Sequence, residues 1–203
     1  MITVLIKRRS TGGVKAYLDY HAQMSADVAW KYGGRMVFVA ETVDDPELVI
    51  GVGMFPSEES LKAYGSDPDV LKLRASTKMD IKSSETTILN SYTSMTGGFA
   101  PLVDENTVFV YGETTLSVPF STFLAKTMSV LESGGFSDTF AGTGMVAVSA
   151  SDQSKAFILM VFKSKAAYDA YADAGDDAIA AREARGSTYS YIASCTMHVF
   201  RSA

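Results

Sequence analysis

The sequence predicts an α+β fold made of two ferredoxin-like βαββαβ halves, and three observations carry that prediction. The first is a repeated order: residues 2–93 and 106–200 each read strand, helix, strand, strand, helix, strand. The second is register. An offset of 106 pairs Val14 with Phe120, Tyr17 with Phe123, Leu18 with Leu124 and Met24 with Val130, and an offset of 107 pairs Phe55 with Phe162, Ser57 with Ser164, Ala63 with Ala170 and Tyr64 with Tyr171. The third is that the strands are apolar on both faces: Val4 and Ile6 alternate with Leu5, and Leu159 and Val161 alternate with Ile158 and Met160. Helices of a split βαβ unit cover one face only, and an antiparallel sheet normally shows water its other, polar face. The second face of each sheet is therefore expected to be covered by the sheet of the other half.

Local signals justify each element. Ile2–Lys7 reads as a strand. Val14 to Tyr32 reads as one helix, because Val14, Tyr17, Leu18, His21, Ser25, Val28 and Tyr32 recur at spacings of three and four. Strands Arg35–Thr42 and Leu48–Phe55 flank the turn-rich Asp44-Asp45-Pro46-Glu47. Ser57 is a predicted N-cap, with Glu58 and Glu59 where the helix dipole favours negative charge. Asp67-Pro68-Asp69 kinks or restarts that helix before Val70, and Glu85–Tyr92 closes the half.

In the second half the expected order is strand Val108–Thr114, helix Pro119–Glu132, strands Met145–Ala150 and Ala156–Phe162, a helix from Ser164 to about Arg185, and strand Tyr191–Phe200. Pro119 stands at a first helical position, where a missing N–H costs nothing. The domains are thus residues 1–93 and 106–203, joined by a connector over 94–105 that holds Gly97, Gly98 and Pro101.

Composition bounds the partners. The chain has 203 residues, 47% of them hydrophobic, and a net charge of −5. Its longest basic run is Lys7-Arg8-Arg9, which argues against nucleic acid. No stretch approaches the roughly 20 apolar residues of a membrane span. The apolar start, Met1 to Ile6, is followed rather than preceded by its positive charges, the reverse of a secretory signal. A lone Cys195 fits a reducing compartment, so a cytoplasmic location is expected.

The stretch from Met54 to Pro68, a strand ending in an aromatic followed by Ser, acidic residues and a Ser-x-Pro break, resembles the dimeric α+β barrel superfamily. That group includes antibiotic-biosynthesis monooxygenase-like, stress-responsive, haem-degrading and chlorite-dismutase-like proteins. The resemblance implies that the tandem ferredoxin-like halves form an intramolecular dimeric α+β barrel. It is also similar to the subunit plan of chlorite-dismutase-like proteins, which assemble into rings. A homo-oligomer, with a ring as one form, is therefore an expected partner arrangement.

Candidate site residues come from helix geometry. His21 lies in the middle of the first helix's apolar stripe, a turn from Tyr17 and from Ser25, so it is a candidate general base or polar anchor in a pocket between helix and sheet. A core histidine bonded to a neighbour is the alternative reading. The second half has Phe123, Thr127 and Leu131 where the first has Tyr17, His21 and Ser25, which points to a ligand site in the first half only. Tyr64 adds a hydroxyl to the candidate ligand-binding set, though its recurrence as Tyr171 also suits packing. Trp30 falls opposite the stripe and is the candidate oligomer contact. His198 lies on a polar strand row with Ser194 and Thr196.

No zinc-type spacing, P-loop or HExxH is present, and no metal or cofactor is expected. Gly142-Thr143-Gly144-Met145-Val146-Ala147 spells GxGxxA, but strand residues follow it where a dinucleotide fold needs a helix, so its glycines are read as a turn or bulge entering a strand. The favoured function is binding or sensing of a small apolar or aromatic molecule in a pocket between helix and sheet. The alternatives are a cofactor-independent monooxygenase or cyclase acting on an aromatic or polyketide-like substrate, which the resemblance implies, and a haem-binding protein. The monooxygenase-like branch often carries His near the positions of Tyr64 and Val70, and neither is His here, which weighs towards binding.

Overall fold

A computed structural model describes residues 1–27, 29–76, 81–93, 106–132, 140–173 and 175–199. The first passage runs β1 (Ile2–Ser10), α1 (Gly13–Asp27), a 3-10 turn (Ala29–Tyr32), β2 (Arg35–Thr42), β3 (Leu48–Phe55), α2 (Glu58–Ser66), α3 (Pro68–Ser76) and β4 (Ile81–Thr93). The second runs β5 (Val108–Leu116), α4 (Phe120–Glu132), β6 (Phe140–Ser149), β7 (Lys155–Phe162), α5 (Lys165–Asp173), α6 (Gly175–Ala184) and β8 (Ser187–Val199). The expected connector, 94–105, lies outside the described residues.

The chain divides into two compact units, Met1–Leu89 with the residues from Thr196 onward, and Asn90–Cys195. In the first unit β1 pairs antiparallel with β3 and with β4, and β3 with β2, giving the order β4-β1-β3-β2. In the second, β5 pairs with β7 and β8, and β7 with β6, giving β8-β5-β7-β6. Both are the ferredoxin-like order. The rungs also correspond: Ile6 opposes Gly51 as Gly112 opposes Ile158, and Val4 opposes Gly53 as Val110 opposes Met160.

Both faces of the central strands are buried. On β3 this holds for Val49 (1% exposed) and for Ile50 and Val52 (both 0%), and β7 is buried at every position from Ala156 to Phe162. The helix-side core of the second unit gathers Val110, Leu116, Phe123, Val146, Ile158, Met160 and Phe162. In the first unit, Val14 and Tyr17 of α1 pack on Val39 and Val49, while Tyr20 and Val70 form a second cluster between α1 and α3.

Several elements differ from the sequence reading. The expected helix Val14–Tyr32 ends at Asp27 and continues only as a 3-10 turn. The expected helix from Ser164 to about Arg185 is two helices, α5 and α6, the second beginning at Gly175, whose backbone entropy disfavours a helix interior. β1, β4, β5, β6 and β8 all extend beyond their expected ends, because ladder pairing carries polar residues that a hydrophobic pattern does not score. Arg8 and Arg9, for instance, pair with Val49 and Leu48. The restart at Asp67 is as read: its carboxylate accepts from the Asp69 N–H at 2.7 Å and the Tyr32 hydroxyl at 2.7 Å, with Pro68 opening α3. β6 carries register shifts at Phe140/Gly142 and at Thr143/Met145, so its glycines serve bulges in a strand.

Ser57 caps α2 by accepting from the Ser60 N–H, and the Ser60 hydroxyl accepts from the Ser57 N–H in return. Ser57→Ala is expected to lower unfolding stability by about 1 kcal/mol and Ser57→Gly by a few tenths, measured by urea denaturation at neutral pH.

Candidate functional site

Strand alternation puts Val4, Ile6 and Arg8 of β1 on one face of the first unit's sheet, and their partners Gly53, Gly51 and Val49 on the same face. That face meets α1, since a Cβ on Gly51 would lie 2.9 Å from the Tyr17 hydroxyl and 3.3 Å from the Met36 methyl. Glycine at 51 therefore admits a tyrosine hydroxyl close to the sheet backbone.

Arg8 is the unusual group there. It is only 7% exposed, its guanidinium lies 5.3 Å from the Tyr17 ring centre, and its Nε and Nη1 are buried with no hydrogen-bond partner among the described residues. An arginine cannot shed its proton to escape burial, so two unmet donors and a full charge stay in an apolar layer. The stack on Tyr17 offsets part of that cost.

The layer opens at β4. Ser84 opposes Arg8, Thr86 opposes Ile6 and Ile88 opposes Val4, all on the helix-facing side; Ser84 and Thr86 are exposed, and Ile6 and Ile88 are half-buried. Exposed Ser84 and Thr86 thus lie one strand away from Ile6 and buried Arg8, which stacks on Tyr17, and this side of the sheet is the candidate trough. The second unit is built differently at the same rungs. Thr114 replaces Arg8 and donates to the Thr188 carbonyl at 3.0 Å, and Tyr189 opposes it where the first unit has Ser84. The Tyr189 ring lies over Gly112, 2.6 Å from where a Cβ would sit, and its hydroxyl reaches the Met160 sulfur at 3.5 Å. Arg182 closes that cover, stacked at 4.7 Å on Tyr189 and 5.0 Å on Tyr171.

The expected site residues fare unequally. Tyr17 is buried (2%) and faces the sheet beside Arg8. Burial pushes its hydroxyl up to about 12, with Arg8 pulling the other way. Tyr64 sits a layer away, its ring 5.3 Å from Phe55 and 6.2 Å from Tyr32, and its pKa is raised by burial and by Tyr20, with which it hydrogen-bonds. Tyr20, absent from the stripe read in the sequence, is buried (2%) and accepts from Arg74 Nε at 3.2 Å. The backbones of His21 and Ser25 lie in α1 and that of Trp30 in the 3-10 turn, but their side chains, like that of His198, lie outside the described residues. Arg8, Gly51 and Gly53 were missed, although period-two alternation from Val4 through Ile6 reaches Arg8.

Among the described residues, no group of three or more His, Cys, Asp or Glu could hold a metal ion, and no helix is long and apolar enough to cross a membrane. Because burial raises the folded-state pKa of Tyr17 above its ordinary 10.0, the protonated hydroxyl stabilises the fold fully below pH 10, and that contribution drains away as pH climbs through 10 towards 12. Its full size is roughly 2–3 kcal/mol. Denaturation across this range is expected to show the loss, and Tyr17→Phe to flatten the slope in part, since Tyr64 and Tyr189 shift in the same direction.

No protein-family model matches the chain, and no curated protein matches it. Solved structures do. An anthrone oxidase-like protein aligns with a TM-score of 0.59 at 16% identity, over 98% of this chain and 92% of its own. A candidate monooxygenase from Lactobacillus acidophilus NCFM aligns with a TM-score of 0.57 at 10% identity, over 97% and 93%. A variant chlorite dismutase from Candidatus Nitrospira defluvii gives 0.54 at 8%, over 97% and 91%. With strand order and register matching and nearly the whole of each chain aligned, this protein has the fold of the dimeric α+β barrel superfamily.

Proposed function

We propose that the protein binds a small, mostly apolar molecule in the first unit, in the trough between α1 and the sheet. The observation that carries this reading is the contrast at one rung: an exposed Ser84 stands beside buried Arg8 in the first unit, while the Tyr189 ring covers the corresponding place in the second. Ile6, Met36 and the Tyr17 ring supply apolar surface, Met36 and the Tyr17 hydroxyl lying over Gly51. The structural neighbours, an anthrone oxidase-like protein and a candidate monooxygenase among them, support a small organic molecule as the class to test.

A cofactor-independent oxygenase or cyclase would draw its base from His21, whose side chain is outside the described residues, so no reaction step is written. Haem does not fit the second unit, where Ile158, Met160, Phe162 and Tyr189 fill the helix side of the sheet. We further read the two units as tandem copies of one βαββαβ plan. The shared strand order and the matched rungs support that reading.

Ser84→Tyr tests the site directly. Ser84 is exposed, so the substitution leaves folding intact, with a melting temperature within about 2 °C of wild type. A fluorescent apolar probe such as 1-anilinonaphthalene-8-sulfonate should bind wild type and lose at least about tenfold in affinity in the variant, the equivalent of roughly 1.4 kcal/mol. Equal binding by both proteins would place the ligand elsewhere.

A further inference from the structure

We propose that Arg8 is the anchor for the carboxylate of a small organic acid whose apolar body lies along the trough. This deepens, and rests on, the reading of the trough as a ligand site. The supporting fact is independent of the trough's openness: Arg8 is 93% buried by its 7% exposure, yet Nε and Nη1 meet no acceptor among the described residues. Buried donors are normally satisfied, and a buried cation is normally paired. Among the described residues the Tyr17 ring stacks on the guanidinium, and the rungs beside Arg8 are Val49, which is buried, and Ser84, which is exposed.

The chemistry of the missing partner follows from charge. One guanidinium offers one positive charge, so a monoanion neutralises it, whereas a dianion such as a phosphate monoester would carry an uncompensated charge into the apolar layer. Arg74, the other arginine near this layer, already donates to Tyr20. A carboxylate is fully ionised at neutral pH and accepts through two oxygens, which matches two unmet donors. A phenol or an enol is neutral at that pH and pairs with an arginine less strongly. Beyond the head group, half-buried Ile6 and Ile88 and the Met36 side chain that covers Gly51 offer apolar surface to the body of such an acid.

Matched ligands make the test. Binding of 1-naphthoate and decanoate, and of their uncharged amides, is measured by isothermal titration calorimetry on the full chain, for wild type, Arg8→Met, Arg8→Lys and Ser84→Tyr. The acids are expected to bind wild type at least about tenfold tighter than the amides, to lose at least about tenfold in Arg8→Met, and to keep part of that affinity in Arg8→Lys. The amides should bind wild type and Arg8→Met alike. A melting curve separates anchoring from architecture: without ligand, Arg8→Met should be at least as stable as wild type, because it removes a buried charge with unmet donors. Acids and amides binding wild type equally, with both lost in Ser84→Tyr, would overturn the carboxylate anchor and leave the trough standing. Absence of any binding to wild type would overturn both. An Arg8→Met protein that is clearly destabilised yet binds the acids normally would make Arg8 structural and also overturn the proposal.

Discussion

The burial of the Arg8 guanidinium beneath the Tyr17 ring is the interaction around which the first unit is arranged. A cation–π stack contributes about 0.5–2 kcal/mol, and each buried donor left unmet costs about 1–3 kcal/mol. Two unmet donors therefore outweigh one stack, and Arg8 is a net cost to the unliganded fold. Its neighbours are consistent with holding that costly group in place. Gly51 clears space for the Tyr17 hydroxyl, Val39 and Val49 hold the ring, and beside it on α1 the Tyr20 ring, 6.5 Å away and edge-on, carries a hydroxyl that takes a hydrogen bond from Arg74.

The second unit shows the same backbone plan with the cost removed. Thr114 stands at the Arg8 rung and is hydrogen-bonded, Phe123 stands for Tyr17 and needs no space for a hydroxyl, and Tyr189 covers the strand that Ser84 leaves open. Arg182 is satisfied by Tyr171 and stacked on two rings. The ladder pair that reads Ile6–Gly51 in one unit reads Gly112–Ile158 in the other, so the glycine changes strands. In the first unit that glycine faces the helix-borne hydroxyl; in the second it receives a ring from β8. At this rung the second unit places a ring over a hydrogen-bonded threonine, its unpartnered buried hydroxyl among the described residues being Thr127 Oγ1 on α4, whereas the first unit holds a charged group with two unmet donors.

Much of the fold was legible because hydrophobic period and register act over whole strands. The βαββαβ order and the Ser57 cap were readable from short-range signals whose physics is local. Helix ends were less so: the break at Gly175 is a local backbone effect that an apolar stripe runs straight through, and the same stripe does not encode the stop at Asp27. The asymmetry between Tyr17 and Phe123 points to the same unit as the site proposed here. Arg8 itself was hidden by composition, because Lys7-Arg8-Arg9 reads as the charged end of a strand, and only pairing with Val49 and Ser84 shows that the middle arginine turns inward. Gly51 and Gly53 were likewise silent alone and informative only beside Ile158 and Met160.

The most direct test of this account is an amide-resolved NMR titration of the isotopically labelled chain with 1-naphthoate. The account predicts saturable shifts centred on Arg8, Gly51, Gly53 and Thr86, a shift of the Arg8 Nε–H signal, and no change at Gly112 or Ile158. Shifts centred on Gly112 and Ile158, or scattered without saturation while Arg8 stays still, would contradict it.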